Sequence, residues 1–184
     1  MPITFNTQEE AKEYMQNQLD KRIQTYKIKS NGKYIVHTLG KITKKTIPIK
    51  KMDTPLPGEY AEYRVNEQGK KEIRLSNKAT KRIIEHELGH ACLGHTAGLT
   101  MKPKTDARDE IDAEIYSFTK MKRDIDYKVG VHAIHLLTLP EYGFNLSRKD
   151  SVSIVKNLLK EKGIELPPTI EKQWVERTLP EYLV

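Results

Sequence analysis

The segment His86-Glu87-Leu88-Gly89-His90 constrains this chain more than any other. On a helix the two histidines stand one turn apart on one face. Two neutral imidazoles so placed supply two of the three protein ligands that a catalytic zinc ion takes. Glu87 projects beside the pair, where a carboxylate can accept a proton from water. The flanks fit a helix entered from a strand. Lys71 to Leu75 alternates, Ser76 or Asn77 can cap the helix, and Gly94 can end it. Ile83, Ile84, Leu88, Ala91, Cys92 and Leu93 supply the apolar face.

A third ligand has to come from a different segment. After nineteen intervening residues His90 is followed by Glu110, and four residues later by Glu114. Both fall on one face of a helix expected over about 105–123, beside an apolar stripe of Ile111, Ile115 and Phe118. Thr105 or Asp106 is the expected cap, with Pro103 before it. In this reading Glu110 binds one Zn²⁺ per chain, and Glu114 hydrogen-bonds a ligand histidine. Glu114 and Asp112 are the alternatives to Glu110. The expected chemistry is metal-assisted hydrolysis, most simply of a peptide bond.

The spacing of these residues resembles the gluzincin-type zinc metallopeptidases, in which H-E-x-x-H is followed by a helical glutamate and an acid or amide four residues on. Within that clan, HELGHACLGH with EIDAE resembles the ImmA/IrrE-like peptidases of phages and mobile elements. Asp112 and Glu114 depart from the commoner residues at their positions. The likeness covers about 75–118. It implies a zincin-like fold, a zinc endopeptidase activity with Glu87 as general base, and a protein or peptide substrate, such as a regulatory protein. It also implies an edge strand near the active-site helix that pairs with extended substrate.

His95 does not extend the motif to a metzincin, which would need glycine at 93 and histidine at 96, where this chain has Leu93 and Thr96. It reads instead as a histidine near the last carbonyls of the helix. Cys92 is the only cysteine, so an intrachain disulfide and a cysteine-based zinc site are both excluded. No apolar run approaches a membrane span and no signal-peptide order opens the chain, so a cytoplasmic setting is expected. The formal charge of +7, with lysine far ahead of arginine, reads as a solvated basic surface more than a nucleic-acid site.

The expected fold class is α+β, with the active-site and ligand helices packed on a small, mainly antiparallel sheet and extra helices at each end. One domain over 1–184 is expected, its catalytic core about 33–145. A helix from Thr7 to about Tyr26 opens with a Thr7-x-x-Glu10 capping box. Asn31-Gly32 makes a turn before a strand from Lys33 to His37. Lys41 to Lys51 alternates like an exposed strand, and Met52 to Gly58 reads as a loop. Tyr60 to Leu75 reads as a hairpin turning at Glu67 to Lys70.

A largely apolar helix over 127–139 carries His132 and His135. Peptide hydrolysis needs a donor for the developing oxyanion. The candidates are His132, His135, Tyr127, Tyr142 and Tyr116, with His135 favoured. Helices over 147–162 and 169–178 follow, with Trp174 as a packing anchor. The competing function is a zincin-fold binding or regulatory module without proteolysis, acting through its basic surface. The intact Glu87 argues for the enzyme.

Overall fold

The computed structural model describes residues 1–43, 47–52 and 60–176. Two compact units divide the chain: residues 1–98 with 112–123, and 99–111 with 124–184. The architecture is α+β with six α-helices among the described residues.

In the first unit, strand β1 (Ile3–Phe5) leads into helix α1 (Gln8–Asp20). The capping box forms as expected. The Glu10 N–H donates to Thr7 Oγ1 at 3.2 Å, and the Thr7 N–H donates to Glu10 Oε2 at 3.1 Å. The helix ends six residues earlier than the apolar stripe suggested. Residues 23–26 belong instead to strand β2 (Ile23–Ser30), which pairs antiparallel with β3 (Lys33–Lys41). Arg22 at φ 60° breaks the helix, and Ile23, Thr25 and Tyr26 are strand formers. Asn31 and Gly32 both have positive φ, the two-residue hairpin geometry that requires a strand on each side. With β1, which the sequence reading missed, these strands form a three-stranded antiparallel sheet in the order β1-β3-β2.

A second sheet in the same unit orders β4 (Ile49–Lys51), β6 (Lys71–Leu75) and β5 (Ala61–Val65) as β4-β6-β5. The β5–β6 pair is the expected hairpin. Its turn is organised by Asn66, whose side-chain oxygen accepts from the N–H groups of Gln68 at 3.0 Å and Lys70 at 2.9 Å. β4 runs parallel to β6, so this second sheet is mixed, where one small, mainly antiparallel sheet was expected. Of the lysine-rich stretch expected as one strand, Lys41 ends β3 and only Ile49–Lys51 forms β4, while 44–46 and most of the following loop lie outside the described residues.

Helix α2 (Lys81–Leu93) follows β6, and α3 (Pro103–Lys120) is one continuous helix to which both units contribute. α3 starts two residues before the expected cap because Asp106 organises the turn ahead of it. The Asp106 carboxylate accepts from the Thr100 N–H at 2.9 Å, the Thr100 hydroxyl at 2.7 Å and the Lys102 N–H at 3.2 Å.

The second unit continues through a 3-10 turn (Tyr127–Gly130) into α4 (Val131–Thr138), then α5 (Arg148–Glu161) and α6 (Pro168–Glu176). Val152, Val155, Leu158, Leu159 and Trp174 are buried, in keeping with the anchoring role expected of Trp174. The expected end of the last helix, at 178, lies outside the described residues. Among the described residues no helix is long and apolar enough to cross a membrane.

Candidate metal centre

α2 forms because its ends are capped and its two faces have partners. Thr80, in extended conformation, accepts at its hydroxyl from the Ile83 N–H at 3.4 Å, and so starts the helix four residues later than Ser76 would have. Gly94 ends it in the left-handed conformation at φ 76°, as expected. Ile84, Leu88 and Ala91, spaced i, i+4 and i+7, pack on Tyr63, Ile73 and Leu75 of the second sheet. The opposite stripe carries Arg82, His86, Gly89 and His90 and meets the C-terminal half of α3. Ser117 Oγ there donates to the Arg82 carbonyl at 3.0 Å.

His86 and His90 are both buried, and their Nε2 atoms face each other at 3.0 Å. The outer nitrogen of each ring also has a neighbour. His86 Nδ1 lies 3.4 Å from Glu114 Oε1. His90 Nδ1 lies 3.0 Å from His95 Nδ1. Glu114 is itself held by Arg82, whose Nη1 is 2.6 Å from the same oxygen. Arg82, Glu114 and His86 therefore lie in a row, with the carboxylate behind the His86 ring, where a partner of a metal-binding histidine is expected.

Glu87 follows His86 along α2 and is half-buried. Glu110 stands one helical turn before Glu114 on α3 and is mostly buried. Asp112, between them, faces another way. It adds to the burial that pushes the Tyr26 hydroxyl well above its ordinary pKa. Within the first unit, His86, His90 and Glu114 come together, and within the second, Glu110 and His132 lie side by side; a histidine and carboxylate cluster of this kind could hold a metal ion.

The donor set suits a metal ion, and its spacing can be compared with that of a zinc site. Two imidazole nitrogens on one tetrahedral ion at about 2.0–2.1 Å would be roughly 3.3 Å apart, close to the observed separation of 3.0 Å. Two histidines and a carboxylate are also a known zinc ligand set that keeps a fourth position open. Glu114 contacts both Arg82 and His86, as a residue behind a ligand would.

Among the expected oxyanion donors, Tyr116 has its hydroxyl donating to Cys92 Sγ at 3.6 Å. Burial first and that contact second push its phenol above the ordinary range. The Tyr127 ring packs against Trp174, with centroids 5.7 Å apart. On α4 it is His132, not the favoured His135, that stands beside Glu110, with Nδ1 3.8 Å from Oε2. His135 is partly buried, and its pKa is lowered chiefly by that burial and then by His132, partly offset by Glu141. Its carbonyl accepts from the Thr138 hydroxyl at 2.8 Å.

Three residues of the centre escaped the sequence reading. Arg82 was legible, since it lies one turn before His86 on the same face. His95 was seen only as a helix-end residue. Thr43 carried no signal. It lies far away in sequence, yet its N–H donates to the Cys92 carbonyl at 2.8 Å. Its hydroxyl is 3.0 Å from that oxygen and 3.3 Å from the Ala91 carbonyl. It thereby satisfies carbonyls in the last turn of α2, next to His90. No family model, no curated protein and no solved structure matches this chain.

Proposed function

We propose that this chain is a zinc-dependent endopeptidase of the gluzincin type, with a zincin-like arrangement of α2 and α3. His86, His90 and Glu110 hold the metal in this reading. The observation that carries it is the pair of Nε2 atoms 3.0 Å apart. With Glu114 and His95 at the outer nitrogens, the ring protons belong on Nδ1 of each histidine. Two lone pairs then converge on one point, which is unfavourable unless a cation sits between them. A buried pair of neutral imidazoles turned this way is a pre-organised metal chelate.

A zinc ion bound there supplies Lewis acidity, which makes water a competent nucleophile near neutral pH. The Glu87 carboxylate orients the attacking water and takes its proton as the oxygen–carbon bond forms. It then passes that proton to the amide nitrogen as the carbon–nitrogen bond breaks, so atoms and charge balance. His132 is the assigned donor to the developing oxyanion, because it is the α4 histidine beside Glu110. The substrate class is a protein or peptide, and the family resemblance favours a regulatory protein inside the cell.

The test is twofold. Purified protein is expected to hold one zinc per chain by elemental mass spectrometry and to cleave members of a peptide library. Glu87→Gln is expected to keep the zinc and lose cleavage by about 10²–10⁴-fold, the usual worth of a general base. Cleavage by the variant at the wild-type rate would remove Glu87 from the mechanism, and a wild-type protein without zinc affinity would remove the metal.

A further inference from the structure

We infer that His95 is the positioning residue for His90. Its Nδ1 accepts the Nδ1–H of His90 and so holds that ring in the tautomer whose Nε2 lone pair is offered to the metal. The inference rests on the zinc reading for its purpose and on local geometry for its substance. The left-handed turn at Gly94 swings the chain back over the last turn of α2. The His95 N–H there donates to the His90 carbonyl at 3.0 Å. The same turn brings the two rings together edge to face, with centroids 5.1 Å apart and planes at 71°.

Their Nδ1 atoms are then 3.0 Å apart, a hydrogen-bond distance for nitrogen on nitrogen. Two Nδ1 atoms can form that bond only if one carries the proton and the other does not. His90 is the donor in the zinc reading, because an Nε2 that binds a metal leaves the ring's proton on Nδ1. His95 is then the acceptor, with its own proton on Nε2.

The backbone of His95 is also fixed. Its carbonyl is 3.5 Å from Lys71 Nζ, and Lys71 lies at the start of β6. A residue tied at both its N–H and its C=O to the helix and the sheet has little freedom to turn its ring away. The two ligand histidines are thus held by different devices. His86 has a carboxylate backed by arginine, and His90 has a neutral imidazole. A neutral acceptor adds no negative charge to the centre, so it orients the ring without the electrostatic pull that Glu114 exerts.

The test begins on metal-free protein, so it does not depend on zinc binding. Long-range proton–nitrogen correlation spectra report which nitrogen of a neutral histidine carries the proton. Without metal, wild-type His90 is expected as the Nδ1–H form, its bare Nε2 accepting from an Nε2–H of His86 across the 3.0 Å gap, and in His95→Leu it is expected to move toward the Nε2–H form that free histidine prefers. Zinc affinity, by competition with a chelator, is expected to fall about 10–100-fold in His95→Leu, as for other partners behind a metal ligand. His95→Asn, whose side-chain carbonyl can accept the same proton, is expected to recover most of that loss and serves as the control for folding.

A His90 tautomer unchanged in His95→Leu would overturn the inference. So would a loss of zinc as deep as that of His90→Ala, since it would make His95 a ligand. If wild type binds no zinc, the zinc reading fails, while the tautomer of His90 still decides the contact with His95.

Discussion

Gly89 lies against Ala113 so closely that a Cβ on it would come within 3.0 Å of both the Ala113 Cα and its carbonyl oxygen, and within 3.1 Å of Tyr116 Cβ. Glycine inside a helix costs up to about 1 kcal/mol against alanine. Here the missing side chain lets the backbone of α3 approach α2, and Glu114 thereby reaches His86. Gly89→Ala is expected to destabilise the protein by about 1–3 kcal/mol despite its better helix propensity, because backbone and not a flexible side-chain end has to give way. It is also expected to weaken zinc binding by separating the helices. Urea unfolding and chelator competition read the two effects. A variant more stable than wild type would mean that the approach is looser than described.

The carboxylates of α3 are expected to separate by role. Glu110→Ala, like His86→Ala and His90→Ala, should lose zinc severely. Glu114→Ala should lose about 10–100-fold, because it only orients His86. Asp112→Ala should be mildest, since this residue acts on Tyr26. Zinc affinity of the single variants provides the ranking. If Glu114→Ala proved worse than Glu110→Ala, the ligand would be Glu114.

Thr43→Val removes a hydroxyl from the end of α2 and retains the shape. Each neutral hydrogen bond of this kind contributes about 0.5–1.5 kcal/mol, so a loss near 1 kcal/mol is expected. Thr43→Ser should keep most of it. Denaturation midpoints of the three proteins test this, and equal midpoints for valine and serine would show that the backbone N–H alone does the capping.

Glu72 is buried on β6, with Lys50 Nζ 2.9 Å and Asn66 Nδ2 3.1 Å from Oε2. The hydrogen bond from Lys50 first, and that from Asn66 second, hold its carboxyl below the ordinary glutamate range. A folded-state pKa below the unfolded one contributes stability above the unfolded value of about 4.3. That contribution fades as pH drops from there through the lowered folded value. Glu72→Gln is therefore expected to be less stable than wild type at neutral pH and to show a shallower acid limb. Stability measured from pH 7 down to pH 2 checks it, and parallel curves would remove Glu72 from the acid response.

Much of the centre was legible because helix geometry is local. His86, Glu87 and His90, the glycine stop at Gly94, and the shared face of Glu110 and Glu114 all follow from a repeat of 3.6 residues that needs no knowledge of distant chain. Arg82 obeys the same rule one turn earlier. The Thr7–Glu10 capping box is three residues long and was equally plain. The same local logic misled at Ile23 to Tyr26, where an apolar stripe continued a helix that Asn31-Gly32 already argued against. A strand is specified by the partner it pairs with, and the strand expected from Lys33 to His37 was not recognised as the partner of the residues before the turn.

Tertiary structure alone decided the rest. Thr43 meets Cys92 across 49 positions of sequence, and β4 runs parallel to β6 through a connection partly outside the described residues. The ring of His95 comes beside His90 only because Gly94 reverses the chain and Lys71 lies by the carbonyl that follows. Spacing can say which residues share a helical face. Which nitrogen of a histidine carries the proton depends on what stands opposite it, and Glu114 and His95 come to stand beside His86 and His90 only after the chain has folded.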